Sequence, residues 1–170
     1  MVSTRRTLFP LAAALFGLAA TVHANPTYKA AMDGTQTLPE PIKTVASGVV
    51  EFNVSADGKS IAYKLAVDRL TNPSAADVHL GPPSQNGPVV ARLYPNGKGG
   101  KKGEFSGVLV EGRLTGADLV GPLAGAGLAD LLAELAAGNV YVNVHTNDGV
   151  DPANSGPGDF QLGEIRGQLK

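Results

Sequence analysis

The sequence predicts a mostly β domain, an antiparallel sandwich or barrel that carries one short helix. Three observations point there. Apolar residues recur at every second position in several short runs, most cleanly where Val140, Val142 and Val144 alternate with Tyr141, Asn143 and His145. Successive side chains of a strand face opposite sides, so this alternation marks half-buried strands. The runs are separated by turn signals, and 22 Gly and 12 Pro in 170 residues leave room only for short strands between turns. A clear helical period occurs in one stretch: Leu128, Leu131, Leu132 and Leu135 stand at i, i+3, i+4 and i+7 and are closed by Gly138. That stripe predicts a helix near 127–137, lying on one end or edge of the sheet.

The length fits a single domain behind a leader. Arg5 and Arg6 precede an apolar run over 8–20, and Val22-His23-Ala24 follows as a small-residue cleavage site. The run is shorter than the roughly 20 apolar residues of a membrane span. The expectation is a signal peptide over 1–24 and a mature domain over 25–170, with its core from about 28 and no membrane span after cleavage. The arginine pair also resembles a twin-arginine signal, so the export route, general secretory or twin-arginine, stays open. The mature protein would reside in the periplasm or be secreted.

Along the chain, 25–46 is rich in Pro and Thr and reads as an extended lead-in with an edge strand. Two alternating runs, 49–55 and 61–67, flank Asp57-Gly58, which signals a hairpin. Thr71-Asn72-Pro73-Ser74 breaks the pattern. Short strands follow at 75–80 and 89–94, separated by the loop 81–88, and Phe105, Val108 and Val110 recur in 104–114. Thr115-Gly-Ala-Asp118 has the spacing of a capping box.

Composition excludes several functions. Setting aside Arg5 and Arg6 leaves twelve basic residues against fifteen acidic ones, a formal charge near −3. Nucleic-acid binding needs a basic patch, and the cluster of Lys98, Lys101 and Lys102 reads as a solvated loop. With no cysteine, the domain has neither disulfides nor thiol chemistry and must hold together by its core. No Gly-x-Ser-x-Gly elbow is present. Asp77 and Glu164 could form a carboxylate pair, but a chain without Trp offers little platform for sugars. Asn147, Asp148, Asp151 and Asp159 match no EF-hand spacing and read as a turn-rich loop.

The polar faces of the two C-terminal strands are what stand out. One carries His145. The other, in Gly163-Glu-Ile-Arg-Gly-Gln-Leu169, carries Glu164 and Arg166 opposite Ile165 and Leu169. Asp77 and His79, two apart, share a face of an earlier strand. If these strands are neighbours, His79, His145, Asp77 and Glu164 form an N2O2 set suited to Zn, Cu or Ni. The competing arrangement is a hydrogen-bonded polar cluster in which Arg166 neutralises Glu164 or Asp77. Arg166 decides between them, because a guanidinium and a divalent cation repel each other in one pocket.

These pieces taken together resemble a chordin-type (CHRD) domain of the microbial, exported kind. The resemblance rests on Ala46-Ser-Gly48, Phe52 and Asp57-Gly58; Ala76-Asp-Val-His-Leu-Gly81 with Asn86-Gly-Pro-Val-Val90; Leu114-Thr-Gly-Ala-Asp-Leu119 with Gly121-Pro-Leu123; 138–146; and 163–169. It implies an immunoglobulin-like β-sandwich with a distant likeness to superoxide dismutases. It implies little about activity: a non-catalytic extracytoplasmic binding or structural module whose protein or ligand partner is unknown. The alternative is a Zn or Cu domain with superoxide-dismutase-like or hydrolytic chemistry. The sequence departs from the family pattern at Asp77, where a first histidine is usual, and in its long 147–159 link.

Overall fold

A computed structural model describes residues 25–95 and 100–170; the candidate leader and Lys98 lie outside the described residues. The chain forms β1 (Thr27–Asp33), β2 (Ser47–Val54), β3 (Ile61–Thr71), β4 (Pro73–Leu80), β5 (Val89–Tyr94), β6 (Glu104–Leu114), α1 (Leu128–Ala136), β7 (Val140–Thr146) and β8 (Ile165–Gln168). The strands predicted from alternation are present, and the one α-helix among the described residues falls where the leucine stripe places it. The Asp57-Gly58 hairpin forms as expected. Gly58 takes φ +67°, a conformation in which a side chain is strained, and its amide donates to the Ser55 carbonyl at 2.9 Å.

All pairings are antiparallel, and the strands join one sheet in the order β5-β4-β7-β8-β1-β2-β3-β6. The sheet curls nearly into a barrel. Its two end strands approach each other, and the Tyr63 hydroxyl on β3 donates to the Leu93 carbonyl on β5 at 3.2 Å. The expected antiparallel β class holds, with one continuous sheet as its framework.

Curling encloses one core. Val50, Phe52, Leu65, Leu70, Val78, Val142, Val144, Ile165 and Leu169 are buried in a single cluster that also takes in Leu128, Leu131 and Leu135 of α1. The helix contributes the predicted stripe, with Leu132 only partly buried against the same cluster.

Two expectations change. The lead-in strand is not an edge: β1 lies between β8 and β2. Its own segment contains no proline, the Pro-rich stretch falling after it, so its amides are free to pair on both sides. The C-terminal strands are also more than half-buried. Tyr141 and Asn143, on the polar face of β7, are buried too, Tyr141 as fully as the core face. The loops 81–88 and 147–163 fold over that face, covering it as helices cover the faces of a parallel sheet.

Candidate functional site

Three neighbouring strands build the site. Across β4 and β7, Asp77 stands opposite Asn143, His79 opposite Tyr141, and Ala75 opposite His145. Across β7 and β8, Arg166 stands opposite Asn143 and Gln168 opposite Tyr141. Alternation therefore places Asp77, His79, Tyr141, Asn143, His145, Arg166 and Gln168 on one face, away from the core. His145 and Asp77 are diagonal neighbours, within reach across a strand pair.

Asp77, His79 and His145 come together. Each offers one ligand atom, and these atoms lie within 4.8 Å of one another. His145 Nε2 stands 3.6 Å from Asp77 Oδ2. That is too long for a hydrogen bond. It is close to the roughly 3.3–3.5 Å that separates donor atoms in a tetrahedral shell with bonds near 2.0–2.1 Å.

The far side of each ring is held. His79 Nδ1 is 2.9 Å from the Gly87 carbonyl oxygen, and His145 Nδ1 is 2.8 Å from that of Gln161. A carbonyl can only accept, so each Nδ1 carries the proton. In the neutral ring Nε2 is then left with its lone pair. Both Nε2 atoms are buried and lack a hydrogen-bond partner, as is Asp77 Oδ1. Burial pulls the His79 pKa below its ordinary 6.5; the Gly87 carbonyl opposes this and neighbouring His145 adds to it. The result favours the neutral imidazole that a metal requires.

Glu164 does not join the group. Its Oε1 accepts from the Thr44 hydroxyl at 2.6 Å, and its Oε2 from the Thr146 hydroxyl and the Gly158 amide, both at 2.8 Å. The sequence pattern put it on the same face as Arg166. It lies just before β8, however, and its carboxylate turns to the end of β7 and the 147–163 loop. The four-ligand N2O2 expectation thus becomes a three-donor N2O arrangement.

Arg166 neutralises neither Asp77 nor Glu164 among the described residues. It is buried, and its two terminal nitrogens donate to the carbonyls of Gln36, Pro82, Pro83 and Gln85 and to Gln168 Oε1, at 3.0–3.3 Å. Its guanidinium carbon lies 3.9 Å from the centre of the Tyr141 ring, a cation–π contact in a desolvated setting. By the criterion that makes Arg166 the arbiter, the guanidinium points away from the carboxylates.

Two participants escaped the sequence reading. Tyr141 stacks on His79 with ring centres 4.8 Å apart and planes 10° from parallel, and its hydroxyl accepts from the Gly87 amide at 2.9 Å. Arg92, half-exposed on β5, sets its Nη1 3.7 Å from Asp77 Oδ1. Tyr141 was visible as a large residue on the polar face. Arg92 depends on the β4–β5 register, which the 81–88 loop fixes and alternation cannot give.

The family model described as the CHRD domain matches residues 28–169. No curated protein and no solved structure matches the chain.

Proposed function

The chain belongs to the CHRD domain family, and on that premise we propose that it is an exported, non-catalytic module that binds one divalent transition-metal ion, zinc or copper. Asp77, His79 and His145 supply the donors. The observation that carries this reading is the pair of buried, unpartnered Nε2 atoms, each fixed as a lone pair by a carbonyl on the other side of its ring. Metal-ligating histidines are characteristically held this way. An unpaired buried polar atom otherwise costs about 1–3 kcal/mol, and a cation would relieve both Nε2 atoms at once.

Two imidazoles and a carboxylate suit zinc or copper, and a fourth position remains for water or for a group on a partner. Glu164, the carboxylate that could have paired with Asp77, is fully engaged elsewhere. That supports binding over hydrolysis. The charged, apolar, small-residue order of 1–24 supports export. We also read the curled sheet as a closed form of the immunoglobulin-like, superoxide-dismutase-like sandwich to which the sequence resemblance points.

Arg92 favours a metal-free module, because it already lies beside Asp77. It is half-exposed, however, and its contact is long, so it can swing into solvent when a cation arrives. Thermal unfolding across a Zn²⁺ titration separates the two readings. A ligand at 100 times its Kd stabilises by about 2.7 kcal/mol. The melting temperature of the parent should rise, and a His79→Ala, His145→Ala double variant should show no rise. An unresponsive parent would leave the metal-free module.

A further inference from the structure

The two charges of the Gly163-Glu-Ile-Arg-Gly motif are buried two residues apart, yet they do not pair. Each is spent on a different loop. Arg166 donates to the carbonyls of Pro82, Pro83 and Gln85, and so gathers the 81–88 loop from inside. The same loop presents the Gly87 carbonyl to His79 Nδ1. Arg166 also lies on the Tyr141 ring, which stacks on His79 and ties the Gly87 amide through its hydroxyl. His79 comes from β4 and Arg166 from β8, the strands on either side of β7, so Tyr141 is held between them.

Glu164 does the same for the other loop. Its carboxylate accepts from the Gly158 amide and from Thr146, whose hydroxyl in turn accepts from the Phe160 amide at 2.8 Å. The Thr146 amide donates to the Phe160 carbonyl at 3.1 Å. This clamps the loop immediately before Gln161, whose carbonyl holds His145 Nδ1.

The glycines of the motif make the arrangement fit. A side chain at Gly163, which has φ +118°, would run into the Asn143 amide, and a Cβ at Gly167 would stand 2.7 Å from the Ala31 carbonyl oxygen.

We propose that Glu164 and Arg166 are positioning residues, Glu164 orienting His145 through the 147–163 loop and Arg166 orienting His79 through the 81–88 loop and Tyr141. The functional meaning of this rests on the metal reading above, but its geometry is that of the metal-free protein and is tested there. The Glu164 carboxylate and the two terminal nitrogens of Arg166 are each held by several neutral dipoles. A neutral residue of similar size offers fewer donors or acceptors and cannot bridge as many strands of loop. Outer-shell partners of metal ligands are commonly worth 10- to 100-fold in affinity.

The test is crossed. Imidazole nitrogen shifts of the metal-free protein, read by NMR, report the tautomer of each histidine. In the parent both rings should be protonated at Nδ1. Glu164→Gln, which faces the Gly158 amide or Thr44 with an NH2 group, should move His145 toward the Nε2–H form and leave His79 in place. Arg166→Lys, which loses the guanidinium fork, should do the reverse. Zn²⁺ affinity should drop 10- to 100-fold in each. General destabilisation would disturb both rings together in each variant, and that result, or no change at either ring, overturns the proposal.

If either variant fails to fold, Thr44→Val and Tyr141→Phe make the same crossed prediction at smaller amplitude. The first removes one donor from Glu164. The second removes the hydroxyl tie on Gly87 and keeps the ring. A crossed pattern in a protein that takes up no zinc would leave the positioning roles standing and remove the metal reading. Zinc uptake with uncrossed shifts would do the opposite.

Discussion

The two faces of the β4–β7–β8 segment are both closed to solvent, and different forces close them. Inward, Ala76, Val78, Val142, Val144 and Ile165 are almost wholly buried in apolar contact. Outward, Asp77, Asn143 and Arg166 are buried as well, but Asn143 and Arg166 lie against loop carbonyls and Asp77 lies beside His145 and Arg92. The apolar face gains by removing area from water, about 25 cal/mol per Å², and needs no directional partner. The polar face gains little net from each hydrogen bond and loses heavily where one is missing. It has missing partners at Asp77 Oδ1, His79 Nε2, His145 Nε2, Asn143 Oδ1 and Arg166 Nε. One face stabilises the fold, and the other carries a structural deficit of which a ligand can remove the part at the two histidines.

Mutations should separate the two faces by size of effect. On the apolar face, Ile165→Ala should cost about 2–5 kcal/mol, and Val142→Ala somewhat less, through lost transfer energy and a residual cavity. Denaturant unfolding measures both. A loss under 1 kcal/mol at Ile165 would mean that this face is not the main source of stability.

Zinc should come next. About 2.7 kcal/mol at 100 times Kd corresponds to a rise of several degrees in a domain of this size. The rise should be confined to proteins that retain both histidines. An equal rise in the His79→Ala, His145→Ala variant would place the ion elsewhere.

Asn143→Ala should cost about 0.5–1.5 kcal/mol, the worth of the bond from its Nδ2 to the Leu162 carbonyl at 2.9 Å. Its Oδ1 has no partner to lose. Equality with Val142→Ala would erase the distinction between the faces.

The smallest effect is a pH dependence. Burial depresses the His79 pKa below 6.5, so between that depressed value and 6.5 the folded protein binds fewer protons than the unfolded chain. The stability contributed by neutral His79 is therefore complete above about 6.5 and is lost as pH falls through this window. The melting temperature should fall from pH 7.5 to 5, and the fall should shrink in His79→Gln. An unchanged fall would assign the dependence to other groups.

The apolar face was legible in the sequence because its signal is local. Alternation at Val140, Val142 and Val144 and the leucine stripe of α1 follow from strand and helix periods alone. The same period put Asp77 and His79 on one face and His145 on the polar side of its strand. Two things lay beyond it. Alternation shows which side a residue takes but not what covers that side, so the burial of Tyr141 and Asn143 beneath the two loops was invisible. It also fails one residue outside a strand. Glu164 precedes β8, and there the preceding Gly163 and the Thr44 and Thr146 hydroxyls set its direction. The position of β1 inside the sheet was hidden for a similar reason: edge or centre is decided by which strands pair, not by composition.

The central claim is that His79 and His145 bind a cation through Nε2 while their Nδ1 atoms stay on loop carbonyls. Adding one equivalent of Zn²⁺ to protein with nitrogen-15-labelled histidines tests it most directly. The account predicts large shifts at Nε2 of both residues together, saturating at one ion per chain, with each Nδ1 proton retained. Shifts at Nδ1, or none at either histidine, would contradict it.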